Sequence, residues 1–173
     1  MSGKKYDVAV VGLQCIDIVA TPVAPDAMRR DTTAVSSARL MLGGDALNQA
    51  VVLAGLGARV GLMGLVGNDR LGNVLLEQLS EYPMTVLNRR ADVNTTISLV
   101  LVGTSGERHF IYQPESNNAL SREHIDEDAV RNAEFLSVGG CLLLPGLDGE
   151  SKIGKSTRLN SSHRLTSRMP SSA

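Results

Sequence analysis

Short apolar runs alternate with amphipathic stretches along most of the chain, and this rhythm predicts an α/β fold. Residues 7–12 (DVAVVG) form a continuous apolar run, as expected for a parallel strand that is buried on both faces of a sheet. The runs at 59–66 (RVGLMGLV) and 135–139 predict two more buried strands, residues 36–42 predict another strand, and residues 84–87 predict a short one. The main sheet is therefore expected to consist of successive β–α units.

Amphipathic helices are predicted between these strands. The first follows the glycine pair at 43–44 and ends at Gly55 and Gly57, since glycine is favoured just beyond a helix. Its predicted buried face consists of Leu47, Ala50, Val51, Ala54 and Leu56. The second helix begins after its predicted N-cap, Asp69. Its shared apolar face consists of Leu71, Val74, Leu75 and Leu79. A third helix is predicted at 123–133, because an acidic first half suits a helix N-terminus.

The pattern changes at residues 95–112, where two strands with a short connection are predicted. Residues 95–102 and 108–112 flank a Gly-Thr-Ser-Gly turn, so they are expected to form an antiparallel hairpin. Both faces of the first strand are largely apolar, and one of them must find a packing partner. Such hairpins do not belong to a doubly wound core, so this region is expected to lie outside the main sheet.

Ligand-type polar groups coincide with the start of the first predicted helix. Gly43 and Gly44 allow the backbone to approach a ligand closely. Asp45 stands in the first turn, where the helix dipole favours a carboxylate that can also accept hydrogen bonds from hydroxyls. Asn48 faces the same side, and its amide offers both a donor and an acceptor, which suits a polyol. The alternative is an ordinary capped amphipathic helix.

Asp17 interrupts a second apolar run, at residues 16–20. A carboxylate between Ile16 and Ile18 is costly to bury without a partner, so either its face is exposed or a ligand satisfies it. Gly12 ends the first strand, but no G-x-G-x-x-G follows it, which argues against a dinucleotide site.

Residues 43–72, GGDALNQAVVLAGLGARVGLMGLVGNDRLG, resemble the first signature of the ribokinase-like sugar kinases, the phosphofructokinase-B family. The shared features are the paired glycines, Asn48, the small residue two positions beyond it and the later GNDRLG. The similarity runs to about Asp148 and includes NNALSREHI at 117–125. It implies a truncated Rossmann-like (ribokinase-like) doubly wound α/β sheet with a small β-sheet lid, formed by strands from about 13–42 and 95–112.

The resemblance also implies a function for the segment up to residue 152. It assigns the acceptor contacts to Asp17, Gly43, Gly44, Asp45 and Asn48. In the family, the ATP groove, the anion hole and the catalytic base come from a later Gly-x-Gly-Asp segment, which is absent here. Residues 1–152 are therefore expected to be the N-terminal, acceptor-binding part of an ATP-dependent, Mg²⁺-requiring sugar kinase. The chain itself is expected to have no catalytic residue, metal site or bound cofactor, and to be inactive.

Two other functions remain open. A nucleoside kinase of the same superfamily would need a base-stacking surface, which only Phe110 and Tyr112 offer near the predicted lid. A non-catalytic sugar-binding module is the second alternative. Within the sugar kinases, the Asp45 carboxylate disfavours phosphorylated sugars, because it repels a phosphate. The resemblance further implies a homodimer that forms through the lid.

Composition bounds the remaining possibilities. A net charge of −1 with 43% hydrophobic residues describes one soluble globular domain, and nothing points to nucleic acid. The sequence contains neither a signal peptide nor an apolar run that could span a bilayer, so a cytoplasmic location is expected. Cys15 and Cys141 are far apart in sequence, and both are interpreted as reduced core thiols.

The last residues differ from the rest of the chain. Residues 149–156 satisfy the phosphate-binding pattern G-x-x-x-x-G-K-[ST], but the sequence that follows has no apolar stripe with which a helix could pack on a sheet. Residues 153–173 contain four basic residues, six serines and no acidic residue. KSTRLNSSH and SRMPSSA resemble a translated sequencing adapter. Residues 153–173 are therefore expected to be a disordered, non-native tail.

Overall fold

The computed structural model describes residues 3–148. The strands are β1 (Tyr6–Gly12), β2 (Cys15–Val23), β3 (Ser37–Gly43), β4 (Val60–Met63), β5 (Leu65–Gly67), β6 (Thr85–Val86), β7 (Arg89–Ala91), β8 (Ile97–Gly103), β9 (Arg108–Gln113) and β10 (Ala133–Gly139). The helices are α1 (Asp45–Gly55), α2 (Arg70–Leu79), α3 (Glu115–Ala119), α4 (Glu127–Arg131) and α5 (Pro145–Asp148). The P-loop-like sequence at 149–156 and the tail at 153–173 lie outside the described residues.

The main sheet is parallel, with the strand order β10-β1-β4-β6. Alternate side chains of β1 enter two different cores, because successive residues of a strand face opposite sides of the sheet. Val10 packs with α1 and α2 on one face, whereas Ala9 and Val11 pack with α4 on the other. Helices therefore cover both faces, which confirms the doubly wound α/β fold.

The second sheet has the order β3-β2-β8-β9. Strand β2 pairs antiparallel with β3 and parallel with β8, and β8 forms the predicted hairpin with β9. Asp17, Met41 and Ser98 stand in register and therefore project from one face. The opposite face includes the in-register residues Leu40 and Leu99, whose side chains are exposed.

The predicted strand at 59–66 is divided in the structure. It breaks at Gly64 into β4, which belongs to the main sheet, and β5, which pairs with β7 in a separate two-stranded sheet. A Cβ at Gly64 would lie 2.9 Å from Cδ of Gln14. The break therefore coincides with the point at which the buried Gln14 side chain passes the backbone, a tertiary contact that the apolar run does not encode.

Three local predictions were wrong. The predicted helix at 123–133 is reduced to α4, because the Asp126 side chain accepts a hydrogen bond from the backbone N–H of Ala129 at 2.9 Å and so caps a later start. Leu56 is not part of the buried face of α1; it follows the last turn and is 79% exposed. Cys141 is half-buried rather than a core thiol.

Other predictions are confirmed. Helix α1 begins directly after the glycine pair, and its fully buried side chains include Leu47, Ala50 and Ala54. Asp69 caps α2. Cys15 is a buried free thiol. Among the helices within residues 3–148, none is both long enough and apolar enough to cross a bilayer.

Candidate acceptor-binding site

The candidate site is built on the turn that connects β1 to β2. The carbonyl oxygen of Leu13 in this turn accepts hydrogen bonds from the backbone N–H groups of Ala46, at 3.1 Å, and Leu47, at 3.4 Å. The first turn of α1 is thereby held against the end of β1. Gly44 lies at this contact with φ of 97°, and a Cβ there would lie 2.5 Å from the oxygen of Leu13. Both the backbone conformation and the available space therefore require glycine.

Asp17 lies against the other glycine of the pair. Strands β2 and β3 are in register, so that Cys15 stands opposite Gly43 and Asp17 opposite Met41. A Cβ at Gly43 would lie 2.6 Å from Cγ of Asp17 and closer still to its Oδ2 atom. The structure therefore places a half-buried carboxylate directly over the backbone that leads into α1.

Asp45 extends this acidic environment. The Cys15 thiol donates a hydrogen bond to Oδ1 of Asp17 at 3.3 Å. Burial, the charge and hydrogen bond of Asp17, and the charge of Asp45 all raise the pKa of Cys15. The thiol is therefore a protonated donor at neutral pH. Asp17 and Asp45 lie close enough to share its environment, although Asp45 is itself exposed.

Asn48 occupies a different position from the other predicted contacts. It lies on the exposed side of α1 and lines a groove of about 500 Å³ between β3, α1 and α2. The groove is mainly apolar, and Leu40, Val51 and Tyr82 are among the residues that line it. The structure thus brings Asp17, Gly43, Gly44 and Asp45 together around the β1–β2 turn, and it places Asn48 in this neighbouring groove.

A buried amide network beneath the site was missed by sequence reasoning. Gln14 and Asn117 are 1% and 4% exposed, and Asn117 hydrogen-bonds both the N–H and the carbonyl group of Gln14. The side chain of Gln14 pairs in turn with Asn88 through two hydrogen bonds. The one sequence feature that pointed to this network was the segment NNALSREHI at 117–125, which indicated only a resemblance to the family and whose contacts the sequence does not reveal.

The later part of the sequence signature has a structural role. Asp69 accepts hydrogen bonds from the N–H of Gly72 at 2.7 Å, and from the N–H at 2.7 Å and hydroxyl at 2.8 Å of Thr95. Burial by itself raises the pKa of Asp69, but these hydrogen bonds outweigh burial, and the pKa is lowered. Asp69 therefore joins the start of α2 to the segment that leads into β8.

Comparison with known proteins identifies the family. Residues 5–153 match the profile of the pfkB family carbohydrate kinases. Probable fructokinase-4 of Arabidopsis thaliana is 26% identical over 106 residues, which span 59% of this chain and 32% of the relative. The ATP-dependent ribose-1-phosphate kinase of Halopiger xanaduensis is 33% identical over 104 residues, which span 59% of this chain and 35% of that protein.

A solved structure shows the same relationship. The ribokinase of Thermotoga maritima superposes with a TM-score of 0.64 at 27% identity, and the match covers 76% of this chain and 44% of that one. The chain thus spans less than half the length of the relatives it matches. The family match covers nearly all of the described residues, and the doubly wound fold agrees with it. This chain therefore belongs to the pfkB family of carbohydrate kinases.

Proposed function

We propose that this chain is the acceptor-binding half of an ATP-dependent sugar kinase, which transfers a phosphoryl group from ATP to a sugar hydroxyl. The observation that carries the proposal is the position of the Asp17 carboxylate over Gly43, next to the start of α1. A carboxylate beside backbone without side chains can accept hydrogen bonds from the hydroxyls of a closely approaching sugar ring. Hydrogen bonds to a charged acceptor are worth about 1.5–3 kcal/mol each.

Asp45 is proposed to determine the acceptor class. Its carboxylate adds a second negative charge at the start of α1, and this charge contributes to the raised pKa of the Cys15 thiol, which also contacts Asp17. Two carboxylates disfavour a phosphate group at the same place but can both accept hydrogen bonds from hydroxyls. An unphosphorylated sugar is therefore the expected acceptor, bound by Asp17, Gly43, Gly44 and Asp45. Asn48, one turn along α1 from Asp45, is the fifth proposed contact, made from the neighbouring groove.

The charges around the candidate site do not suit a nucleotide phosphate. Within residues 3–148 no group of three or more His, Cys, Asp or Glu side chains is placed to hold a metal ion. The amides at the start of α1 lie beside Asp17 and Asp45, whose charges oppose a nucleotide phosphate. ATP and Mg²⁺ are therefore proposed to bind to the remainder of the parent protein. The chain by itself is proposed to be inactive, since charge neutralisation dominates phosphoryl transfer.

The second sheet is proposed to be the lid over the acceptor, made from strands within 13–42 and 95–112. The exposed apolar side chains of Leu40, Leu99 and Ile111 suit a contact with a second copy of the sheet, so a homodimer through the lid stays a prediction. The absence of a nucleic-acid partner and the cytoplasmic location also stay predictions.

One observation favours a nucleoside kinase as the second candidate. Phe110 and Tyr112 are 52% and 63% exposed on β9. Tyr112 stands in register with Ser98, which stands in register with Asp17, so both aromatic rings project from the face that carries Asp17. Exposed aromatic rings on this face could stack on a nucleobase.

The test requires a completed kinase, meaning this chain extended by a pfkB-type C-terminal half such as that of the Thermotoga ribokinase. ATP turnover is measured with ribose, fructose, fructose 6-phosphate, ribose 1-phosphate and adenosine, and acceptor binding is measured by calorimetry. We expect turnover with an unphosphorylated sugar. Turnover with adenosine alone would support the nucleoside kinase, and sugar binding without turnover would support the non-catalytic module.

A further inference from the structure

The segments that carry the candidate acceptor contacts converge on two residues, Leu13 and Gln14. Strand β2, with Asp17, begins directly after them. Helix α1 is tied to the same turn, because the carbonyl of Leu13 accepts the N–H groups of Ala46 and Leu47. The position of this turn therefore affects where the Asp17 carboxylate lies relative to the first turn of α1.

The turn is held by a side chain that is distant in sequence. The Gln14 N–H donates to Oδ1 of Asn117 at 3.1 Å, and Nδ2 of Asn117 donates to the Gln14 carbonyl at 3.0 Å. One side-chain amide thus satisfies both backbone groups of Gln14, as a neighbouring strand would. An aspartate of the same shape could keep the acceptor but would lose the donor, and it would bring an oxygen against the Gln14 carbonyl.

The side chain of Gln14 is fixed independently of its backbone. Nε2 of Gln14 donates to Oδ1 of Asn88 at 2.9 Å, and Nδ2 of Asn88 donates to Oε1 of Gln14 at 2.7 Å. The Asn117 end of the network is anchored as well: the N–H of Asn117 donates to the Thr96 hydroxyl at 3.2 Å, and the Thr96 carbonyl accepts the N–H of Ile16. The network therefore spans from α3 to the beginning of β2.

We infer that Asn117 is a positioning residue for the acceptor site. It holds the Leu13–Gln14 turn, and through this turn it sets the separation between Asp17 and the first turn of α1. This inference rests on the proposed function, because it identifies which buried group aligns the proposed acceptor contacts. Asn88 supports the same turn from the other side through the Gln14 side chain.

The test is Asn117→Asp in the completed kinase, with Asn118→Asp as the matched control. Asn118 is the exposed neighbour in the same helix, so its variant introduces the same charge one residue away. Asn117→Asp is expected to lower kcat/KM for the acceptor by about tenfold or more, with the KM for ATP changed by less than about twofold. Asn118→Asp is expected to leave both parameters unchanged. A purely structural role would reduce the amount of active enzyme, and so kcat, without raising the KM for the acceptor.

A second readout does not depend on activity. Amide hydrogen exchange at Ala46 and Leu47, which donate to Leu13, is expected to accelerate by about tenfold in Asn117→Asp, while Val51 in the middle of α1 is unaffected. Unchanged exchange at Ala46 and Leu47, or an unchanged KM for the acceptor, would overturn the inference. If the unsubstituted protein phosphorylates none of the acceptors, the proposed function fails, and the exchange experiment still decides the positioning role.

Asn88→Asp is the second variant, which decides the question if Asn117→Asp does not fold. Asn88 is half-buried, and an aspartate there keeps the acceptor for Gln14 but loses the donor. We expect a rise in acceptor KM of about threefold and faster exchange at the same two amides. Wild-type values for both would contradict the role of the network.

Discussion

Gly43→Ala is the substitution whose effect on the site can be worked out most directly from the geometry. The new Cβ would lie 2.6 Å from Cγ and 2.9 Å from Oδ1 of Asp17. Since non-bonded carbon–carbon contacts are ordinarily about 3.5 Å or longer, Cγ of Asp17 must retreat by roughly 1 Å. A displacement of about 1 Å at a site of reaction can cost about a hundredfold in rate. We therefore expect kcat/KM for the acceptor to fall by about tenfold to a hundredfold in the completed kinase.

The same substitution should have a small effect on stability. Overpacking a core costs about 1–3 kcal/mol, but Asp17 is only half-buried and its side chain can rotate away, so a loss of about 1 kcal/mol is expected. The measurements are steady-state kinetics with the acceptor and with ATP, and a urea melt of each protein. The loss of acceptor kcat/KM should therefore greatly exceed the change in stability, and the KM for ATP should not change.

Gly55→Ala provides the matched control. It lies at the end of α1, and a Cβ there would meet no atom within 4 Å. Replacing a helical glycine by alanine stabilises by about 0.5–1 kcal/mol, so this variant should be slightly more stable and kinetically unchanged. If Gly43→Ala folds and keeps the wild-type kcat/KM for the acceptor, then Asp17 does not contact the acceptor from its position in the structure.

Three further predictions concern Asp17, Asp69 and the chain as a whole. Asp17→Asn should raise the acceptor KM by about tenfold or more without affecting the KM for ATP, and an unchanged acceptor KM would exclude the proposed contact. The pKa of Asp69 is lowered in the folded state from its ordinary value of 3.8. The ionised Asp69 side chain therefore stabilises the folded state fully at pH values above 3.8, and this stabilisation is lost as the pH falls through the lower folded-state pKa. Urea melts should therefore show Asp69→Ala to be less stable by about 1–2 kcal/mol at pH 7, and to lack this acid-dependent loss. The isolated chain, which leaves Phe135 on the edge strand β10 67% exposed, should lack a cooperative thermal transition, and observing one would show that it is a complete folding unit.

The pattern of apolar and polar residues was sufficient to predict those strands and helices whose signals lie within their own sequence. Apolar runs predicted β1 and β10, the Gly-Thr-Ser-Gly turn between two strands predicted the β8–β9 hairpin, and the glycine pair predicted the start of α1. The pattern failed where a distant side chain decides the local structure. Residues 59–66 are apolar throughout, and it is the buried Gln14 side chain at Gly64 that coincides with the break between β4 and β5.

The network beneath the site was beyond sequence reasoning for a related reason. Asn117 and Gln14 are 103 residues apart, and a buried amide pair has no periodicity that would reveal it. Polar residues of this kind are mostly exposed, so their burial could not be expected from the sequence. The contact between Asp17 and Gly43 was more accessible, because an isolated carboxylate in an apolar strand and a glycine pair are each conspicuous in the sequence.

The topology favours a ligand site at this place. Strand β1 has β4 on one side and β10 on the other; α1, which precedes β4, covers one face of the sheet, and α4, which precedes β10, covers the other. The strand order therefore reverses at β1, since β4 and β6 are added on one side and β10 later on the other. Ligands of open α/β sheets bind outside the carboxyl ends of strands at such a point. Gly12 and Gly139 stand in register there, and a Cβ at Gly139 would lie 2.5 Å from Cα of Ala46. The ends of β1 and β10 and the start of α1 therefore meet beside the edge of the sheet.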